Sequence, residues 1–422
     1  MEEVRKVTAE KAVLVGLNAD VFTKEEAATE QTMQELAALL ETAGGVCVGS
    51  ILQNRHTPDP HSFIGEGKAE EVRRLVEDSG AKLVIFDNDL TPSQIRALEG
   101  LCGASVLDRS ALILDIFAQR AKTKEGKLQV ELAQYQYYLP RLQVWNETMG
   151  RLGGGIGTRG PGETQLETDR RYIRERIGRL KAELEEVGRV RRTQRERRKK
   201  NEMPVVALVG YTNAGKSTIL NYLTGAGIPA NNRLFDTLDT TTRRLTVSDT
   251  CEALLSDTVG FIAKLPHHLI DAFHATLEEL QYADLLIHVI DAGDPERADH
   301  IEVVNRLIAQ LAKPGVPVIE CYNKADTVEW DDLPHGEGIV CTSARTGLGM
   351  DVLLRLIEQM LDRGRRHVRL LLPYRMGGMV DTLHSEAKVL NCDFIEGGIA
   401  VEAVIDEALY GKLREYVTET IQ

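Results

Sequence analysis

The sequence predicts a multi-domain α/β chain, and three observations carry that prediction. Short β-branched runs alternate with helical patterns over most of the 422 residues, as small parallel sheets require. Two stretches, Leu128–Leu142 and Leu166–Val187, repeat apolar residues at spacings of three, four and seven, the pattern of a helical hairpin. One run, Val205–Val209, ends at Gly210 and passes through a glycine-containing turn into a helical pattern.

Four domains follow from these patterns: 1–110, an α/β subdomain; 111–200, the hairpin; 201–365, a second α/β domain; 366–422, a small α/β domain. In the first, strands are expected at Ala12–Gly16, Val46–Ile51 and Lys82–Phe86. Helices are expected at Lys24–Thr42, Gly65–Asp78 and Thr91–Glu99, with Pro92 in the first turn of the last. Gly65-Glu66-Gly67-Lys68 is read as an ordinary loop before a helix. In the hairpin, Leu128, Leu132, Tyr135, Leu139 and Leu142 form one seam, and Leu166, Ile173, Ile177, Leu180, Leu184 and Val187 the other. The intervening Gly150–Thr164 is too rich in glycine to pack a core and is expected to be a flexible cationic loop. Near the C-terminus, Val368–Leu372, Ala387–Leu390 and Ile399–Val404 read as strands and Glu407–Tyr416 as a helix, with turns at Gly377-Gly378 and Gly397-Gly398.

Composition narrows the class. Hydrophobic content of 43% and charged content of 27% suit a globular protein, and no apolar run approaches the roughly 18 residues of a membrane span. The opening MEEVRKVTAE is too charged for a secretory signal. Six cysteines lie scattered without a CxxC pair, so reduced thiols, no zinc site and a cytoplasmic setting are expected. A monomer is expected.

The chemistry is carried by the loop after Val205–Val209. Gly210-Tyr211-Thr212-Asn213-Ala214-Gly215-Lys216-Ser217-Thr218 is a complete phosphate loop, GxxxxGK[ST], placed between strand and helix. Backbone N–H groups close around an anion, Lys216 reaches the outer phosphates, and the Ser217 hydroxyl suits Mg²⁺. Asp257-Thr258-Val259-Gly260 follows an expected strand at Cys251–Ser256. Its Asp holds Mg²⁺ through a water, and its glycine amide senses a terminal phosphate. Two apolar runs, Asp284–Asp291 and Pro317–Asn323, read as central parallel strands, the second leading into Asn323-Lys324-Ala325-Asp326. The Asp326 carboxylate accepts from guanine N1–H and its exocyclic amine, donors that adenine lacks, so the motif selects GTP and GDP. Ile339–Thr342 leads into Ser343-Ala344-Arg345, which approaches the base. In this order the motifs define a Ras-like P-loop GTPase domain. The first switch lies in Leu234-Phe235-Asp236-Thr237-Leu238-Asp239-Thr240-Thr241-Thr242-Arg243, and four threonines there compete as the Mg²⁺ ligand. Phe261 follows Gly260 where Ras-like enzymes carry a water-orienting glutamine, so intrinsic hydrolysis should be slow.

Charge distribution points to a polyanionic partner. The net charge is −13, yet Arg170–Lys200 alone holds 14 Lys/Arg against 5 Asp/Glu, which leaves +9 there and −22 elsewhere. Few aromatics accompany these cations, which favours backbone contact over base stacking.

The G motifs, together with GGGIGTRGPGETQLETDRR (153–171) and LILDIFAQRAKTKEGKLQVELAQYQYYLPRL (112–142), resemble the HflX family of ribosome-associated GTPases in the Obg-related branch. NRHTPDPHSFIGEGK (54–68) resembles that family's N-terminal domain, and the likeness spans roughly residues 10–365. Thr240, where proline is common, and Ile219, where leucine is usual, depart from the pattern without touching a required group. The resemblance implies binding to the large ribosomal subunit and its rRNA, with Arg151, Gly153, Gly154, Gly155, Arg159, Arg170 and Arg171 as candidate RNA contacts. It also implies splitting of stalled or idle ribosomes, and Thr237 as the switch threonine and Mg²⁺ ligand. Lys216, Thr237 and Gly260 are the expected catalytic groups. An RNA-binding assembly factor, in which GTP only gates affinity, is the alternative.

Overall fold

In the computed structural model, residues 10–23, 26–152, 161–199, 203–227, 234–235, 241–248, 251–264, 280–362 and 365–421 are described. The chain divides into two compact units: Met1–Thr246 with Glu252–Asp351, and Val247–Cys251 with Val352–Gln422.

The first unit holds two parallel-type sheets. Strand β1 (Lys11–Ala19) is buried on both faces, which is why it reads as a nearly continuous apolar run. It is flanked by β2 (Val46–Arg55) and β3 (Leu83–Phe86), with β4 (Ser105–Asp108) beyond, giving the all-parallel order β2-β1-β3-β4. One face, through Val13, Val15 and Leu17, packs on α2 (Glu66–Ser79) and α3 (Pro92–Cys102). The other, through Ala12 and Leu14, packs on α1 (Glu30–Thr42) and α4 (Arg109–Arg120). Thr91 caps α3 in a capping box with Gln94, and Pro92 occupies the first turn.

Several sequence expectations need correction here. Helix α1 starts at Glu30 rather than Lys24, because Thr29 caps it: the Thr32 N–H bonds the Thr29 hydroxyl and the Thr32 hydroxyl answers the Thr29 N–H. Strand β4 and helix α4 join this sheet without a pattern in the sequence that predicts them. They are joined by Asp108, whose Oδ1 accepts the Ala111 N–H at 2.8 Å.

The hairpin is α5 (Lys124–Leu152) and α6 (Pro161–Lys199). Leu128, Leu132 and Leu180 form its buried seam, with Tyr135, Ile177 and Leu184 against them. Both helices run further than expected, taking in Gly150, Arg151 and Leu152 on one side and Pro161 and Gly162 on the other. Asp108 also anchors α5: it accepts from the Tyr137 hydroxyl and the Arg141 guanidinium, each at 2.8 Å, while Arg141 lies 3.3 Å from the Tyr137 ring centroid.

The second sheet has the order β10-β9-β8-β5-β7-β6, parallel throughout except for the β6–β7 pair. Its strands are β5 (Val205–Gly210), β6 (Thr241–Thr246), β7 (Glu252–Asp257), β8 (Leu285–Asp291), β9 (Val318–Asn323) and β10 (Ile339–Cys341). Helices α7 (Lys216–Thr224) and α8 (Arg297–Leu311) belong to it, and α9 (Met350–Leu361) follows β10.

The remaining unit carries an antiparallel sheet, order β12-β13-β11-β14, from β11 (Arg365–Leu372), β12 (Lys388–Ile395), β13 (Gly398–Asp406) and β14 (Val417–Ile421). Val368, Leu370, Leu372, Val401, Ala403 and Ile405 alternate onto one face, covered by Leu383 of α10 (Gly377–Glu386) and Leu409 and Leu413 of α11 (Glu407–Leu413). The turn expected at Gly397-Gly398 is present as the β12–β13 connection. The one expected at Gly377-Gly378 is instead the first turn of α10.

Candidate functional site

Strand β5 lies between β8 and β7, so its carboxyl end opens at the centre of the second sheet. From Gly210 the chain turns through Asn213, at φ 62°, and Gly215, at φ 97°, into α7. A Cβ at Gly215 would stand 2.2 Å from Asn323 Nδ2, so only glycine lets the loop lie against the neighbouring motif. The resulting loop presents the first N–H groups of α7 to one point.

Lys216 points back over this loop and donates to the Gly210 and Tyr211 carbonyls at 3.0 and 2.8 Å. Burial lowers its ammonium to about 8, against the pull of nearby Asp257. A buried cation held by carbonyl dipoles is strongly favoured by an anion placed beside it. Ser217 Oγ donates to Asp257 Oδ2 at 2.6 Å. This hydroxyl and carboxylate are hard oxygen donors of the kind Mg²⁺ takes. Gly260, after Asp257 and Thr258, sits directly under the lysine: a Cβ there would lie 3.1 Å from Lys216 Nζ and 2.9 Å from Thr212 Cγ2. Thr258 donates its hydroxyl to the Leu208 carbonyl at 2.7 Å, which pins this motif to β5.

The third motif binds the loops to one another. Asn323 Nδ2 donates to the Ala214 carbonyl at 2.9 Å, and its Oδ1 accepts the Ala344 N–H at 3.1 Å. Lys324, at φ 61°, pairs with Asp291 at 2.6 Å. Asp326 is paired with Arg345, and hydrogen bonds from Ser343 foremost hold its carboxyl below the usual range. Thus Gly210–Thr218, Asp257–Gly260, Asn323–Asp326 and Ser343–Arg345 are brought to the same sheet edge, as their order in the sequence implied.

Among the expected residues, Asp236, Thr237, Leu238 and Asp239 lie outside the described residues, as do Thr240, Gly153, Gly154, Gly155 and Arg159. Thr241 and Thr242 are in β6, and the Thr242 hydroxyl is 3.3 Å from that of Ser256. Phe235 is described: it is buried, at φ 54°, with its ring edge-on to Phe117 of α4 at 4.7 Å. Phe261 is buried in the same apolar cluster, which explains why it carries no polar group. On α6, Arg176 is bidentate to Glu131 of α5, and Arg189 pairs with Glu186. The Glu175–Arg179 pair on the same helix is long, at 4.0 Å.

Two matches decide the family. A chain from Caldanaerobacter subterraneus subsp. tengcongensis, described as GTPase HflX, is 46% identical over 418 residues, 99% of this chain and 96% of its own. One from Escherichia coli with the same description is 45% identical over 374 residues, 87% of each chain. The chain belongs to the HflX family of GTPases. Three family models match along it: GTP-binding GTPase N-terminal over 30–118, GTP-binding GTPase middle region over 120–198, and 50S ribosome-binding GTPase over 205–324. A solved GTP-binding protein from the hyperthermophilic archaeon Sulfolobus solfataricus, in complex with GDP, is 24% identical. It covers 84% of this chain and 99% of that one, with a TM-score of 0.44. No described helix is long and apolar enough to cross a membrane, and none of the six cysteines is in a disulfide among the described residues.

A feature of this HflX-family chain that its motifs do not announce lies on the other side of Tyr211. The Tyr211 hydroxyl donates to Glu35 of α1 and accepts the Ala263 N–H, both at 2.6 Å. Its ring stacks on His300 of α8, with centroids 3.6 Å apart. Glu35 is paired with Arg109, whose guanidinium also donates to Asp87 at 2.8 Å and to the Ala263 carbonyl at 3.2 Å. Asp87 receives Lys264 and the Thr32 hydroxyl as well. The phosphate loop and the segment after Gly260 therefore share a buried ion cluster with the N-terminal sheet. Only Tyr211 falls in a motif, so sequence reading had no signal for Glu35, Asp87, Arg109 or Lys264.

Proposed function

We propose that this HflX-family GTPase acts on the large ribosomal subunit, binding its rRNA and splitting stalled or idle ribosomes in the GTP state. The observation that carries the reading is the Lys216 ammonium, buried over Gly260 beside the Ser217–Asp257 pair, in a cradle closed by Asn323. Within it Gly210–Thr218 wrap the phosphates, and Asp257–Gly260 follow the terminal one. Asn323–Asp326 and Ser343–Arg345 take the guanine. Ser217 would hold Mg²⁺ directly and Asp257 through a water, with Thr237 as the proposed first-switch ligand; Phe235, Asp236, Leu238 and Asp239 are the other proposed nucleotide-binding residues of that segment. Bound there, the ion would supply positive charge against the charge that develops on the phosphate.

The ribosomal part rests on different support. The G-motif region matches a family described as a 50S ribosome-binding GTPase, and α6 concentrates cations on a chain that is acidic elsewhere. Arg151, Gly153, Gly154, Gly155, Arg159, Arg170 and Arg171 are the proposed rRNA contacts. Domain boundaries near 110, 200 and 365, a monomeric state and a cytoplasmic location complete the proposal. With Phe261 where a glutamine would orient water, turnover is slow until the ribosome stimulates it.

The test is the GTPase rate against added large subunits, for wild type and for a deletion of 153–162. Stimulation that vanishes in the deletion supports the reading. Absence of stimulation in either removes the ribosomal partner. Titrating GTP-state protein into intact ribosomes separates splitting, which releases subunits, from an assembly factor that binds without dissociating them.

A further inference from the structure

Thr212 is 6% exposed, and its Oγ1 is buried with no hydrogen-bond partner among the described residues. A buried hydroxyl without a partner costs about 1–3 kcal/mol, so its position asks for a ligand. The threonine is fixed from both sides. Its N–H donates to the Phe261 carbonyl at 2.7 Å, while the Phe261 N–H donates to Gly210 at 3.1 Å. This short bridge ties the phosphate loop to the residue after Gly260. The Thr212 side chain thereby faces Gly260, whose missing Cβ would lie 2.9 Å from Thr212 Cγ2 and 3.1 Å from Lys216 Nζ. Threonine, glycine and lysine thus converge on one small space, the place of the terminal phosphate under the reading above.

Neighbouring hydroxyls are committed elsewhere. Ser217 is bonded to Asp257, and Thr258 to the Leu208 carbonyl. Phe261, in the position that lacks glutamine, is buried in apolar company. We propose that Thr212 is a catalytic residue of GTP hydrolysis, its hydroxyl donating to a γ-phosphoryl oxygen and accepting one hydrogen of the attacking water. Threonine has one donor and two acceptor lone pairs, enough for both bonds. The water oxygen bonds Pγ as the bond to the β–γ bridging oxygen breaks, and that oxygen leaves with the electron pair on GDP. The water proton passes to a phosphoryl oxygen, giving inorganic phosphate, and Thr212 is unchanged.

The proposal rests on the nucleotide site described above, so binding and turnover are measured separately. Thr212→Val keeps the shape and removes the hydroxyl, and Thr212→Ser keeps the hydroxyl. The valine variant should hydrolyse GTP at least about tenfold more slowly in single turnover at saturating nucleotide, a loss larger than any change in its GDP affinity. It should also lose affinity for GDP with aluminium fluoride by a similar factor, and serine should restore both. Wild-type turnover by the valine variant, or equal losses in GDP affinity and rate, or a serine variant no better than valine, would overturn the proposal. A wild-type chain that binds no GDP would instead remove the site itself.

Discussion

The two sides of the phosphate loop are built on opposite principles. On one, backbone groups and glycines make a cradle whose charges, Lys216 and Asp257, come from the motifs themselves. On the other, Tyr211 enters a cluster of Glu35, Arg109, Asp87 and Lys264 assembled from residues far apart in the chain: Arg109 is 74 positions from Glu35, and Lys264 is 177 from Asp87. The cradle is shaped to receive an anion. The cluster is already neutralised within the protein, and its side chains are mostly buried: Asp87 is 0% exposed and Arg109 2%. The first side should therefore control affinity for nucleotide, and the second should control how firmly the N-terminal sheet stays against the G motifs.

The largest effect tests that division on the cluster side. Arg109→Met leaves Glu35 and Asp87 without their shared guanidinium, and should cost about 3–5 kcal/mol in denaturant unfolding. GDP affinity, measured well below the transition, should change little. Lys216→Ala should do the reverse, weakening GDP binding about a hundredfold to a thousandfold while moving stability by no more than about 1–2 kcal/mol. If either variant loses stability and affinity together, the two sides are not separable as described.

Acidification sharpens the comparison next. Burial works to raise Asp87, but the Arg109 guanidinium and Lys264 ammonium outweigh it and hold the carboxyl below its usual range. A depressed carboxyl contributes stability above its unfolded pKa of about 3.9, and the contribution disappears as pH falls through the lower folded value. Unfolding free energy should thus decline below about pH 4, and a pH series on Asp87→Asn should show a flatter acid limb. The smallest effect is at the junction. Tyr211→Phe removes the bonds to Glu35 and the Ala263 N–H but keeps the His300 stack, so a loss of about 1 kcal/mol in stability is expected.

The same division explains what the sequence makes legible. Each G motif is a few contiguous residues whose spacing is set by the phosphate or base it meets, so the loops could be placed before the fold was known. The hairpin seams were equally plain, because 3.5-residue periodicity is local. Strand β4 is not legible in the sequence because four residues, Ser105–Asp108, carry little pattern, and α4 opens with Arg109 and Ser110, polar residues that are buried here by tertiary pairing. Gly377-Gly378 predict a turn where α10 begins because they carry a propensity cost of about 1 kcal/mol each, which packing of Leu383 against the third sheet offsets. No local pattern marks Arg109. Nothing short of the fold brings it to Glu35 and Asp87.

Under the proposed function, the motifs around Lys216 and Asp326 make a single guanine-selective site. Calorimetric titration of the full chain with GDP, and separately with ADP, in the presence of Mg²⁺ tests it most directly. One GDP should bind per chain, with ADP weaker at that site by roughly 10⁴-fold, because adenine offers the Asp326 carboxylate neither of the donors that guanine does. ADP binding as tightly as GDP in competition for that site would contradict the account.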